Sequence, residues 1–543
     1  MKKIILSLSL IVGSFINAQW TNDTNENTLL VANNNGASFS VATSDGHIYL
    51  GFWQKVAAPT NYELRIQYLD KNGNKLWGEE GKLISNQIPM STYTMVEQTA
   101  LDKDNNLFIG VTGTTGGYPA FAYKVTPNGD LPWGTNGIAL GEGYVPTILP
   151  LKSGDVMISY WPTSKVQARL QKFTSAGTPI WAEPTIIYSD DVTKKTVPAD
   201  LFELSNGNVE IVFNKVLTGA YSNLYAQTFD ADGKPVWNAP VLLSPNSSTW
   251  SKKNSTFFEN DKVYYAFTSG QGGRLDSYLI KINPDGTLPW GVGGVDFSTN
   301  NANFEKEVQI ASKAGTDHIW GISTFTTAGS QNNYGEYVQK FDKETGARLF
   351  SDNAKAVFPI SLNDAKSHVG TLLLDDDKPV FAYNNIKQFN VQLFTTHLTR
   401  LNENGEFDWK EKSIDLITRE SFTSHNNLLK LPENQIVFKY NESRDSAPSS
   451  VYAQNTMMPD SYLATTEINN SNLRMYPNPT SSVLNFSKDL ENASVRIYNF
   501  SGQLVKSETI KGNIISVENL PKGNYIIEVN NKGKIFSTKF IKN

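Results

Sequence analysis

Along most of the chain, short runs of alternating apolar and polar residues are cut by polar turns. That alternation is the period of strands with one covered face. His47–Phe52 and Val209–Phe213 are two such runs. A recurrent unit organises them: an apolar-ended strand, a polar turn with glycine, three residues, then tryptophan. The clearest copies are Phe229–Trp237 (FDADGKPVW) and Ile282–Trp290 (INPDGTLPW). Others run Leu69–Trp77, Val125–Trp133, Phe173–Trp181 and Leu401–Trp409, and Phe341–Phe350 carries phenylalanine in place of tryptophan. A tight hairpin turn needs positive φ, which side chains with a Cβ resist, so glycine stands there. The aromatic is expected to pack the outer strand onto its neighbour.

The turn glycines, Gly73, Gly129, Gly177, Gly233, Gly286, Gly346 and Gly405, recur every 48 to 60 residues. That loose period fits one four-stranded blade with variable loops. A second turn lies between successive copies, as at Ser44-Asp45-Gly46 and Asn206-Gly207-Asn208, with related turns at Asp104, Gly154, Asn260, Gly315, Asp376 and Asn434. There are thus eight second turns against seven full signatures. Trp20–Leu30 resembles an outer strand with no turn before it, and Val451–Met457 resembles a third strand with no tryptophan strand after it. The pattern therefore predicts an all-β, eight-bladed β-propeller over residues 19–460, closed by its N- and C-terminal strands, with seven blades as the alternative. Closure of this kind leaves no unpaired sheet edge. The period and the turn–strand–Trp-Gly pattern also resemble the delta-sixty class of propeller-like repeats, which implies a fold and little about function.

The two ends read differently. Residues 1–18 have the form of a signal peptide: Lys2 and Lys3, then an apolar core over Ile4–Ile16, then Asn17-Ala18 before Gln19. After a polar linker at 461–472, residues 473–543 alternate like the strands of a small immunoglobulin-like β-sandwich. They contain Met475-Tyr476-Pro477-Asn478-Pro479, Val495–Val505, Leu520–Val529 and the closing Thr538–Asn543 in that order. In these motifs the tail resembles the type A C-terminal sorting domain of the type IX secretion system. The resemblance implies export across the outer membrane of a Gram-negative cell, with the secretion machinery and its sortase-like peptidase as partners. It further implies removal of the tail, followed by attachment to the cell surface or release.

Composition narrows the chemistry. Cysteine is absent from all 543 residues, which excludes disulfides, a thiol nucleophile and a cysteine metal site. A net charge of −5 with no basic tract argues against nucleic acid. No stretch after the leader is long and apolar enough for a membrane-spanning helix. The histidines at 47, 318, 368, 397 and 425 form no metal-ligand spacing, and no nucleophile elbow, P-loop or dinucleotide fingerprint occurs. No catalytic residue, metal or cofactor is assigned. Asp102, Asp104 and Asn106 alternate in a way that suits calcium, but they lack the remaining features of an EF-hand loop and read as a turn.

The irregular loops between second and third strands, and those joining blades, share one face, where function usually gathers. Trp53 and Trp161 end second strands there, and Trp250 lies in a polar connection. Tyr118, Tyr221, Tyr334 and Arg274 lie in loops of the same face. These seven form the candidate ligand-binding group, suited to stacking on sugar rings or gripping a peptide. The expected function is binding of an extracellular carbohydrate or protein. The alternatives are a propeller-based glycoside hydrolase or lyase and a structural surface or gliding-associated protein.

Overall fold

The computed structural model describes residues 20–32, 37–57, 61–90, 97–162, 164–188, 193, 195–218, 221–247, 255–270, 273–328, 333–388, 393–459, 475–487, 490–500, 502–531 and 534–543. The expected leader and linker lie outside them. The chain divides into two compact units after Ser461.

The first unit is all-β and propeller-like, with no α-helix among the described residues. Seven four-stranded antiparallel meanders follow in chain order over 38–85, 97–142, 144–186, 196–247, 255–296, 303–361 and 365–421. An eighth sheet combines Ser424–Lys430, Gln435–Glu442 and Ser450–Met457 with Thr28–Val31 from the other end of the chain. In it Thr28 lies opposite Ala453 in an antiparallel register. Second strands such as Leu107–Thr112 and Gln435–Glu442 are buried at every position, because neighbouring strands and sheets cover both faces.

The hairpin tryptophans reach further than their own sheet. Trp133 donates its indole N–H to Ser175 O at 3.1 Å, Trp181 to Ala231 O at 3.0 Å, Trp237 to Pro284 O at 3.2 Å and Trp290 to Glu344 O at 3.2 Å. Each acceptor is the carbonyl two residues before the turn glycine of the following sheet. Trp20, on the segment entering the eighth sheet, does the same to Lys71 O of the first sheet at 2.8 Å. The turn glycine therefore has a second reason to be glycine. A Cβ on Gly73 would stand 2.8 Å from the Trp20 ring, and one on Gly233 3.0 Å from Trp181. Three copies of the signature depart from this: Trp77 makes no such bond among the described residues, Phe350 has no indole, and Trp409 has no hairpin to meet. The eighth sheet has no such hairpin, since its third strand ends at Met457. Trp409 instead packs in a core with Met458, and its indole nitrogen has no partner among the described residues.

Buried glutamines brace the same hairpins from inside. Gln227 receives the N–H of Trp237 at 3.3 Å and donates to its carbonyl at 3.2 Å. Gln339 treats Phe350 N and Ser351 O in the same way, at 3.1 and 2.8 Å. Gln454 of the eighth sheet instead receives the side chain of Asn27 at 2.7 Å. At the same end of the sheets, the turns between first and second strands also meet their neighbours: Lys152 N donates to Glu203, Ser205 N to Asp261, and Lys430 pairs with Asp375.

Toward the loop ends the contacts between sheets are polar and enclosed. Ser277 N donates to the Glu305 carboxyl at 3.1 Å. Glu336 takes the backbone N–H and the ring of His368, each at 2.9 Å, and the Thr324 hydroxyl at 3.0 Å. Lys439 donates to Ser38 O at 3.0 Å, joining the eighth sheet to the first. Burial drives the Glu305 carboxyl up to about 9 and raises Glu210 well above the usual carboxylate range. Burial disfavours charge on His368, yet the Glu336 carboxylate beside it holds the imidazole above its ordinary value.

The second unit pairs Met475–Tyr476 with Val483–Phe486 and Ile514–Ser516 in one sheet. The other sheet orders Leu504–Thr509, Ser494–Asn499, Gly523–Asn531 and Lys534–Lys542. Leu484, Phe486, Val495, Ile497, Ile515, Ile527 and Phe540 form its core.

Two outcomes follow. All 11 tryptophans lie before residue 460, so indole fluorescence during urea unfolding reports the first unit alone. Trp133→Phe and Trp409→Phe each remove core volume, but only the first also loses a hydrogen bond, so Trp133→Phe is expected to cost about 1 kcal/mol more than Trp409→Phe. The second outcome concerns pH. A carboxyl whose folded pKa is raised gives stability that is complete below its unfolded value and is lost as pH rises through the folded one. Thermal scans should therefore show the first unit weakening from pH 5 to pH 9, and Glu305→Gln should flatten that slope.

Candidate functional site

The expected binding residues fall into separate places. Trp53 is fully enclosed, packed in a core with Tyr49, Ile88 and Met90, and presents nothing to the loop face. The connection to the second sheet contributes Ile88 and Met90 to the same core. Arg274 is committed to structure: it pairs with Asp276 at 2.5 Å and donates to Asn303 O at 2.9 Å. It thereby ties its own loop to the connection into the sixth sheet. Tyr334 opens the third strand of the sixth sheet, half-buried, with the Lys306 ammonium 4.6 Å over its ring. Tyr221 begins the strand Tyr221–Phe229 with its backbone opposite Thr218. Trp250 lies outside the described residues.

Tyr118 and Trp161 are brought together, through a residue that the sequence did not mark. Tyr144 starts the innermost strand of the third sheet, directly opposite Trp161. Its ring centroid is 5.1 Å from that of Tyr118 and 6.1 Å from that of Trp161. The result is one aromatic strip across the second and third sheets. Its outer member, Tyr118, is 41% exposed and sits at φ 56°, a left-handed conformation uncommon outside glycine. Gly143 N donates to Tyr118 O at 2.9 Å and fixes the loop against the connection between the two sheets. At the inner end, Trp161 gives its indole N–H to Lys165 O at 2.9 Å. Lys195 stands 3.7 Å over the same ring, and burial holds its ammonium below the ordinary lysine range. Burial, reinforced by Tyr118, raises the Tyr144 phenol, so that ring stays neutral at physiological pH. Such a strip offers apolar ring faces edged by hydroxyl groups and a cation.

The acidic turns and two of the histidines are held by the fold. Asp102 receives the backbone N–H groups of Asp104 and Asn106 at 3.0 and 2.9 Å, closing a turn. Asp70 does the same for Asn72 and Asn74. Asp375, Asp376 and Asp377 each face a cation or imidazole, respectively Lys430 with Arg400, Lys313 and His318. His318 lies between two aspartates and His397 against Asp415. No group of acids and histidines placed to hold a metal occurs among the described residues. Nor is any described helix long and apolar enough to cross a membrane.

Comparison with known proteins places the tail more firmly than the sheet repeat. No curated protein sequence matches the chain. Among solved structures, the chain is similar to a PL25 ulvan lyase bound to a sulfated disaccharide repeat, at 10% identity over 75% of this chain and 98% of that one, with a TM-score of 0.41. It is similar to a puromycin hydrolase at 11% identity, 79% and 62% coverage and a TM-score of 0.38. A third is PorZ, a surface component of the type IX secretion system of Porphyromonas gingivalis, at 10% identity, 94% and 74% coverage and a TM-score of 0.36. None of the three assigns a function to this chain. Residues 474–543, in contrast, match the secretion system C-terminal sorting domain family. On that match the tail carries the type IX sorting address, and the protein is exported to the cell surface or the extracellular space.

Proposed function

We propose that the first unit is an eight-bladed propeller, closed by pairing of its terminal strands, that binds an extracellular saccharide on the strip Tyr118–Tyr144–Trp161. The ring reading is supported by the mixed eighth sheet and by the reach of Trp20 to Lys71 O, which repeats the link made between internal sheets. The binding reading is carried by one observation. A large aromatic side chain, Tyr118, is held out in solvent on a left-handed backbone while its ring touches a second aromatic that touches a third. Exposed aromatic surface that costs backbone strain to present is a mark of recognition rather than of packing. A saccharide fits because its apolar ring faces stack on tyrosine while its hydroxyls meet the phenol groups and Lys195. Export by the sorting tail places such a surface where glycans are found.

Glycan-array binding of the secreted protein tests the reading. Tyr118→Ala and Tyr144→Ala should each weaken the recognised glycan by about 1 kcal/mol, with the larger loss in the double variant. Trp53→Ala is the contrasting substitution: it should lower the unfolding midpoint severely, as loss of a buried tryptophan does. Unchanged glycan binding in the double tyrosine variant would overturn the proposal. For the tail, deletion of 474–543 should leave the protein inside the outer membrane, read by surface proteolysis and fractionation of the culture.

A further inference from the structure

A second concavity lies at the loop ends of the seventh and eighth sheets. It has a volume of about 570 Å³ and is bounded by the outer strand end Arg419–Phe422, the inner strand start at Ser424 and His425, and the loop 443–449. Its floor is Glu442, whose side chain is 1% exposed. One carboxylate oxygen of Glu442 receives Arg444 Nε at 2.6 Å. The other, Oε1, is buried and has no hydrogen-bond donor among the described residues; Arg419 Nε stands 3.8 Å away. A buried carboxylate oxygen without a donor is costly and calls for a partner.

Arg444 cannot supply one. Its remaining N–H groups go to Glu26 O at 2.7 Å and the Tyr440 hydroxyl at 3.2 Å, and its guanidinium lies 3.8 Å over Tyr452. Arg419, by contrast, makes no hydrogen bond among the described residues. Its acidic neighbours, Glu442 at 3.8 Å and Asp445 at 3.5 Å, are too distant for one. The ring nitrogens of His425 likewise have no described partner. At the rim Phe422 is 54% exposed, leaning on Phe394 with ring centroids 6.0 Å apart.

The unmet valences are therefore one buried acceptor, a planar donor and an imidazole, beside an open phenyl face. The lining charges are Arg419 and Arg444 against Glu420, Glu442 and Asp445, so no positive excess is present to hold a carboxylate or phosphate. We propose that this pocket is a second ligand site, separate from the aromatic strip, which takes a neutral sugar unit. One hydroxyl donates to Glu442 Oε1 and its neighbour accepts from Arg419, while the apolar face of the ring rests on Phe422. A diol matches a carboxylate–guanidinium pair because its two oxygens supply one donor and one acceptor side by side.

The test uses the full chain with its histidines isotopically labelled, since only five ring signals are present and His425→Gln assigns the one at the pocket. The probes are digests of neutral glucan, mannan, xylan and galactan, with a polygalacturonate digest and trilysine as acidic and cationic comparisons. At least one neutral digest should move the His425 signal at millimolar concentration. It should do so equally in the Tyr118→Ala/Tyr144→Ala variant, which separates this site from the strip. Arg419→Ala and Phe422→Ala, both at solvent-facing positions, should each weaken that response about ten-fold without moving the tryptophan unfolding midpoint. The proposal is overturned if no neutral digest moves the signal, if only polygalacturonate or trilysine does, or if both variants respond as the parent does.

Discussion

One hydrogen bond, repeated from sheet to sheet, organises the first unit: the indole N–H of a hairpin tryptophan meeting a turn carbonyl of the next sheet. It needs an aromatic four residues after the turn glycine and a bare backbone in the following turn. It also needs a carbonyl left open by that turn's own hydrogen bonding. The signature in the sequence is the sum of these three demands. The glycine serves two purposes, since its positive φ shapes its own hairpin and its missing side chain admits the preceding tryptophan. Where the receiving hairpin does not exist, as after Trp409, the indole is left unpaired.

The two ends of the sheets are built differently. At the hairpin end the recurring links are an indole meeting a turn carbonyl, with buried glutamines bracing the hairpins from inside. Toward the loop end the sheets meet through enclosed side chains such as Glu305, Glu336 and His368. These contacts are individual, sensitive to protonation and different at each junction. Variation from junction to junction is what lets one part of this face present an aromatic strip and another a charged pocket. Several of the titratable groups there favour a protonated folded state, which ties stability of the unit to the acidity of its surroundings.

Much of the fold was legible because its determinants are local. Turn chemistry, alternation and the tryptophan spacing lie within nine or ten residues, and the tail carries ordered motifs that match a known family. The buried glutamines were equally local, two residues before the apolar strand end in four copies, but they escape a search for apolar pattern and turn residues. The candidate site was far less legible. Trp53 and Trp161 hold equivalent positions at the ends of second strands, yet one is buried in a core that includes Ile88 and Met90 while the other remains half open. That difference depends on the neighbouring connection and not on the strand. Tyr144 joins Tyr118 to Trp161 only because strands pair across the sheet. The pocket at Glu442 draws on three segments of the seventh and eighth sheets with no shared motif. Arg274 looked available for binding because sequence does not reveal the carbonyls of Asn301 and Asn303 that occupy it.

The central claim is that the N-terminal strand is an integral member of the eighth sheet, held by the same tryptophan link as the internal sheets. Amide hydrogen exchange on the intact protein, followed over residues 28–31, tests it most directly. The account predicts protection there comparable with that of residues 450–457 and lost together with it. Rapid exchange of 28–31, as at a free chain end, while 450–457 stays protected would contradict it.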